Sequence, residues 1–70
     1  MTEWYNFLYK IVGEESDLCG EEFLVAVNVP WENAQDYANG IARTSFPNEE
    51  IRGYGYVTEE EAEMMGLDTY

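Results

Sequence analysis

The hydrophobic period changes within residues 22–42, which read EFLVAVNVPWENAQDYANGIA. As far as Val29, large apolar side chains recur at every second position, which is the pattern of a half-buried strand. Beyond Pro30 the interval becomes three and four residues, which is the stripe of an amphipathic helix and comprises Ala34, Tyr37, Ala38, Ile41 and Ala42. Asn33 is the predicted N-cap of this helix. The stretch therefore predicts a strand over residues 22–29, followed by a helix that packs on a sheet.

Residues 4–12 predict another strand, because they are rich in aromatic and β-branched side chains. The two-residue period places Trp4, Leu8 and Val12 on one face and Tyr5, Phe7, Tyr9 and Ile11 on the other. A strand that is apolar on both faces belongs in the middle of a sheet. Glycine, serine and aspartate in residues 13–20 predict the hairpin loop that joins this strand to the next.

Ile51–Val57 predicts the third strand. The same period places Arg52, Tyr54 and Tyr56 on one face and Gly53 and Gly55 on the other. Glycine in a strand allows another backbone to approach, so we expect the helix backbone to pack closely there, with Gly40 of the helix serving the same contact. With the first strand in the middle, the prediction is an α+β fold of order β-β-α-β, with an antiparallel or mixed sheet ordered 2-1-3.

A short terminal helix over residues 59–65 completes the predicted fold. Thr58 and Glu61 have the spacing of a capping box, in which each side chain accepts a hydrogen bond from the other residue's backbone N–H. Gly66 stands where a helix commonly ends in a glycine. The length of 70 residues fits one domain spanning residues 1–70.

The charge balance narrows the classes of function. Fifteen Asp and Glu against three Lys and Arg, with no His, give a formal net charge of −12. Direct binding to DNA, RNA or an anionic membrane needs a basic footprint, so we predict none of them. The 46% hydrophobic content is too high for a disordered acidic tail.

Catalytic chemistry has few candidates in this sequence. Histidine, the commonest general base, is absent, and Cys19 lies between Asp17 and Glu21, an unfavourable setting for a nucleophilic thiolate. Phosphate-binding glycine loops and paired cysteines are also absent. We therefore predict that the protein is not an enzyme and uses no cofactor or metal. A single cysteine, no signal-peptide pattern and no long apolar run predict a cytoplasmic location.

The acidic side chains form three clusters along the chain. The hairpin-loop cluster comprises Glu14, Glu15, Asp17, Glu21 and Glu22. A pair comprises Glu49 and Glu50, and the terminal-helix cluster comprises Glu59, Glu60, Glu61, Glu63 and Asp68. Part of the last cluster reflects the preference of a helix start for anions. A net charge of about 2–8 in magnitude is enough to keep a small domain soluble. The excess predicts imitation of a polyanion, in which carboxylates occupy the basic groove of a nucleic-acid-binding protein.

Aromatic side chains would supply the non-ionic contacts of such an interface. Trp31, Tyr54 and Tyr56 are the predicted anchors, with Trp4 and Tyr70 also available, whereas Tyr5, Phe7, Phe23 and Tyr37 are assigned to the core. One sheet face is predicted to lie away from the main helix and to carry Trp4, Leu8, Leu24, Tyr54 and Tyr56. An apolar face needs cover, so we expect it to contact the terminal helix, a second copy in a homodimer, or a partner.

In these features the chain resembles the small acidic α+β proteins of bacteriophages and mobile elements, which include anti-CRISPR proteins and other DNA mimics. The resemblance is carried by Glu14-Glu15…Glu21-Glu22, by Glu59-Glu60-Glu61-Ala62-Glu63 and by the net charge of −12 in one short domain. It implies an inhibitor that binds a defence nuclease complex, such as a CRISPR effector subunit, in the cytoplasm of a host bacterium. An antitoxin-like or adaptor module that neutralises another basic protein is the alternative, and a domain whose acidity only maintains solubility is a third.

Overall fold

The computed structural model describes residues 4–70. Its elements are, in order, β1 (Tyr5–Ile11), β2 (Glu22–Val27), α1 (Trp31–Ser45), β3 (Ile51–Val57) and α2 (Glu59–Met65). β1 lies between β2 and β3 and is antiparallel to both. This confirms the α+β fold and the sheet order 2-1-3. Within the described residues, no helix is long and apolar enough to cross a membrane.

α1 begins three residues earlier than the sequence predicts. The helix starts at Trp31 and Pro30 occupies the N-cap position, so the prediction of Asn33 as the N-cap is wrong. The backbone N–H of Asn33 instead donates to the carbonyl oxygen of Pro30 at 2.9 Å. The Trp31 ring packs against the rings of Tyr5 and Phe7, which gives the first turn its own contact with the sheet.

An alanine stripe joins α1 to the sheet. Ala34, Ala38 and Ala42 are the buried residues of the helix, and they lie against alternate side chains of β1 and β2. The register sets Phe7 opposite Val25 and Tyr9 opposite Phe23. The core therefore comprises Phe7, Tyr9, Ile11, Phe23, Val25, Val27, Ala34, Ala38 and Ala42. Small helix residues bring the backbones close while the strand side chains fill the space between them.

Two residues of α1 lie outside this core, contrary to prediction. Tyr37 is 57% exposed, and a methyl group added at Gly40 would meet no other atom within 4 Å. The contact with the sheet follows the four-residue spacing of the alanines, so Tyr37 lies at its margin and Gly40 faces solvent. Close packing on the sheet therefore does not explain Gly40.

A bulge in β3 moves the side chains that follow it to the sheet face opposite the one predicted by strict alternation. The pairing with β1 shifts between Leu8 and Tyr9, which leaves Tyr54 as an extra residue, and Gly55 adopts a φ of +98°. Tyr56 consequently pairs with Phe7, on the side of α1. The prediction that Tyr54 and Tyr56 share a face is wrong, because the strict two-residue period ends at the bulge.

The glycines of β3 do not serve the close packing of the helix backbone that the sequence predicted. A methyl group added at Gly53 would lie 3.1 Å from Cε1 of Tyr9, so the close neighbour is a tyrosine ring and not the helix backbone. Gly55 meets no atom within 4 Å but needs its positive φ at the bulge.

α2 has the predicted boundaries and caps. The Thr58 hydroxyl oxygen accepts from the Glu61 N–H at 3.2 Å, and Glu61 Oε1 accepts from the Thr58 N–H at 3.1 Å, so the capping box is confirmed. Gly66 ends the helix with a φ of +63°.

Residues 68–70, here called the strap, lie along the outer edge of β2 in a pairing that the sequence did not predict. Leu24 forms a parallel bridge with Thr69. The Leu24 N–H donates to the Asp68 carbonyl oxygen at 2.9 Å, and the Tyr70 N–H donates to the Leu24 carbonyl oxygen at 2.8 Å. The Tyr70 ring packs against Phe23, with ring centroids 5.5 Å apart. The strap thus extends the sheet beyond β2.

Candidate acidic and aromatic interface

The carboxylates of residues 4–70 remain in water. All of their Asp and Glu side chains are exposed except Glu49, which is half-buried. Exposure spares these groups the desolvation cost of a buried charge. They are therefore available to a partner.

The structure joins two of the predicted acidic clusters into one surface. The hairpin loop lies at the end of the sheet where β3 begins, and the Val12 N–H donates to the Glu50 carbonyl oxygen at 2.9 Å. A methyl group added at Gly13 would lie 3.5 Å from Cβ of Glu50. We call this surface the acidic end; its members are Glu14, Glu15, Asp17, Glu21, Glu22, Glu49 and Glu50.

Backbone turns hold the hairpin loop in one shape. The Gly20 N–H donates to the Ile11 carbonyl oxygen at 2.8 Å, and the Ile11 N–H donates to the Glu21 carbonyl oxygen at 2.9 Å. The Ser16 hydroxyl oxygen accepts from the Leu18 N–H at 3.0 Å, which fixes the turn between these ends. An ordered loop loses less conformational entropy on binding, so its carboxylates are partly preorganised.

The terminal-helix cluster lies apart from the acidic end. β3 finishes at Val57, which pairs with Asn6 near the start of β1, and α2 follows directly. A seven-residue strand is about 23 Å long, so the cluster begins about that far from the acidic end. The body is elongated, with extents of 42 × 24 × 15 Å. Glu59, Glu60 and Glu63 therefore belong to a second acidic surface.

An aromatic group occupies the end of the sheet opposite the acidic end. The Trp31 ring centroid is 5.2 Å from that of Tyr5 and 5.5 Å from that of Tyr56, both in edge-to-face geometry. Trp31 and Tyr56 are about half exposed. Two of the three predicted anchors thus meet, whereas Tyr54 lies elsewhere, with the Arg52 guanidinium 5.9 Å from its ring centroid.

The sheet face away from α1 is only partly open. Leu24 is 1% exposed, because α2 and the strap cover it, and the terminal helix was one of the three predicted kinds of cover. Trp4 and Tyr54 are exposed and Leu8 is half-buried. Tyr56 leaves this face through the bulge.

A cleft of about 800 Å³ opens between α2 and this face. Trp4, Asn6 and Tyr56 line it from the sheet, and Glu59 and Glu63 line it from α2. Sequence reasoning missed the cleft, since it exists only because α2 turns back across the sheet toward β2. The placement of Trp4 on that face was the available signal.

A side-chain hydrogen bond links the sheet to the helix. The Tyr9 hydroxyl donates to Asn39 Oδ1 at 2.6 Å and so ties β1 to α1. Burial raises the pKa of the Tyr9 phenol above its ordinary value.

Cys19 is exposed in the hairpin loop. Within residues 4–70 no group of three or more Cys, Asp or Glu side chains could hold a metal ion.

No family model, curated protein or solved structure matches this chain.

Proposed function

We propose that this protein is a stoichiometric inhibitor that binds the basic nucleic-acid-binding surface of a defence effector, such as a CRISPR effector subunit, as a DNA mimic. The observation that carries this proposal is the acidic end, where two separate segments bring seven carboxylates together on an ordered loop and its neighbour. Grooves that bind DNA present Lys and Arg to phosphates, and the same side chains would attract these carboxylates.

The dimensions support mimicry of a short duplex. DNA carries one charge per ~1.7 Å of helix axis, so a duplex as long as the 42 Å body carries about 25 charges. The protein presents a net charge of −12 over that length, or about half the charge density. Such a density steers association with a basic groove, and its effect weakens as salt is added.

Collecting like charges at one end opposes folding, because they repel one another. Solubility alone is served equally well by interspersed charges of both signs. The concentration of carboxylates therefore favours a binding role over a purely solubilising one. Occupation of a groove needs no turnover, so we propose a cytoplasmic inhibitor that acts without catalysis, cofactor, membrane attachment or direct contact with nucleic acid.

An antitoxin-like or adaptor module that neutralises a different basic protein is the second candidate. The aromatic group around Trp31 and Tyr56 favours it, since half-exposed aromatic side chains are common anchors of protein–protein interfaces. Mimicry of a charged backbone does not by itself require them.

The test is competition for nucleic acid. Labelled duplex bound to a purified CRISPR effector subunit is titrated with the protein, and fluorescence anisotropy reports displacement. We expect displacement at a one-to-one ratio, and an apparent affinity at least about tenfold weaker in 0.2 M than in 0.05 M salt. Glu14→Lys with Glu15→Lys should abolish displacement.

The matched control is Glu32→Lys with Asp36→Lys, which changes the net charge by the same amount on the exposed side of α1. If both double variants weaken displacement equally, net charge and not the acidic end drives binding. If neither weakens it, DNA mimicry is refuted. Capture of a small basic toxin, without displacement of duplex from any effector, would favour the second candidate.

A further inference from the structure

The cleft beneath α2 has the size of a binding site. Its volume of about 800 Å³ falls within the range of about 300–1,000 Å³ that is usual for ligand clefts. That volume exceeds what one amino-acid side chain fills. It therefore has room for a side chain together with the backbone that carries it.

One aromatic side chain stands at this cleft without full cover. Trp4 is 63% exposed and lines the cleft, whereas Tyr56 borders the cleft but packs its ring against Trp31 on the side of α1. Leu24 forms an apolar part of the lining. The faces of tryptophan and tyrosine rings carry negative electrostatic potential, so they attract a cation placed over them.

The opposite wall carries two carboxylates. Glu59 and Glu63 are four residues apart on α2, which places them on one side of the helix. Both are exposed, and the capping box uses Glu61 and so leaves these two free for other contacts. None of the described residues that line the cleft is basic. The Trp4 ring and two carboxylates thus line one groove.

We propose that this cleft docks an arginine side chain on an extended basic segment of the protein partner. A guanidinium is planar, so it can stack on an aromatic ring and donate paired hydrogen bonds to a carboxylate at the same time. Lysine offers a point charge and no planar face. The choice of occupant follows from charge complementarity, and it rests on the proposed function only for the basic character of the partner.

The direct probe is a capped peptide, Gly-Gly-Arg-Gly-Gly, titrated into the ¹⁵N-labelled protein at low salt. We expect shifts of the Trp4 indole N–H and of the amides of Glu63 and Thr69. The matched lysine peptide should bind about threefold more weakly, because it lacks the stacked plane. The citrulline peptide, which keeps the shape and loses the charge, should cause no shift.

Variants locate the contact. Glu59→Gln with Glu63→Gln should weaken arginine binding about tenfold, since charge-assisted hydrogen bonds are lost. Trp4→Ala should weaken it about threefold, and Trp4→Phe should restore most of the affinity. Glu32→Gln with Asp36→Asn removes the same charge on the exposed side of α1 and should leave peptide binding unchanged. Amide spectra away from the cleft report whether each variant keeps the fold.

Several results would overturn the inference. The arginine and citrulline peptides could cause equal shifts, the shifts could spread over the hairpin loop as well as the cleft, or no shifts could occur. Cleft shifts that grow with protein concentration in the absence of peptide would also overturn it, because they would indicate that a second copy of the protein occupies the cleft. Failure of the cleft is distinguishable from failure of the proposed function. The duplex-displacement assay reads the acidic end through Glu14 and Glu15, whereas the peptide titration does not depend on them.

Discussion

Replacing Leu24 with alanine tests whether the face away from α1 is a second packed layer. Leu24 is 1% exposed beneath α2 and the strap, and its cross-strand partner is Leu8. Removing a buried leucine side chain costs about 2–5 kcal/mol, and the nearby cleft allows some relaxation, so we expect about 2–4 kcal/mol. Truncation of a solvent-exposed leucine would cost less than about 0.5 kcal/mol.

The loss would be a large part of the total stability. For 70 residues the free energy of unfolding is about 4–10 kcal/mol. Each kcal/mol lowers the Tm of so small a domain by about 4–8 °C, so Leu24→Ala should lower it by about 8–30 °C. The backbone hydrogen bonds between Leu24 and the strap are unchanged by the substitution, so the effect reports the side chain.

Urea unfolding followed by circular dichroism measures the effect, with a shifted midpoint at an unchanged slope as the expected form. Met64→Ala, at a fully solvated position on α2, is the control and should stay within about 0.5 kcal/mol of the parent. A Leu24→Ala variant as stable as this control would refute the packing of α2 and the strap over the sheet.

Three further predictions concern single side chains. Gly40→Ala should stabilise the protein by about 0.5–1 kcal/mol in urea unfolding, because the added methyl group meets open space; destabilisation would contradict that environment. Thr58→Ala should cost about 1 kcal/mol in thermal unfolding through loss of the capping box, whereas Thr58→Ser should keep most of it. Tyr9 keeps its proton above pH 10.0 while the unfolded chain releases it, so stability should decline as the pH rises from 10.0 toward the raised pKa; Tyr9→Phe should lessen this decline, and an unchanged pH profile would contradict it.

Local signals predicted most of the fold. The change of period around Pro30, the two-sided apolar β1 and the Thr58–Glu61 capping box are each decided by neighbours in sequence. The elements that they predict are present. β1 is one residue shorter at each end than predicted, β2 ends two residues earlier, and α1 starts earlier, where the Trp31 ring contacts the sheet. Short stretches of neighbouring residues do not indicate how distant segments pack against one another.

The bulge and the strap could not be predicted from the sequence, because both depend on pairing between segments that are distant in the chain. The sequence predicts close packing at Gly55, whereas the structure shows that its positive φ is needed at the bulge in β3. The strap depends on hydrogen bonds between Leu24 and residues that follow it by more than forty positions.

Part of the candidate site could have been inferred from the predicted topology. In a sheet of order 2-1-3 with antiparallel neighbours, the hairpin loop and the start of β3 lie at one end. Glu49 and Glu50 therefore had to join the hairpin-loop cluster. The cleft could not be inferred, since it depends on the path of α2 back across the sheet.

The bulge at Tyr54 and Gly55 also bears on how this protein avoids aggregation. β3 is the outermost strand on its side, and an outermost strand with a regular row of free N–H and C=O groups can template growth of a sheet from molecule to molecule. The extra residue breaks that row in the middle and twists it, while the strap occupies the backbone groups on the far side of β2. Filling in the bulge by deleting Tyr54 would thus remove a safeguard against fibril growth, and the protein would then depend on charge repulsion alone to remain dispersed.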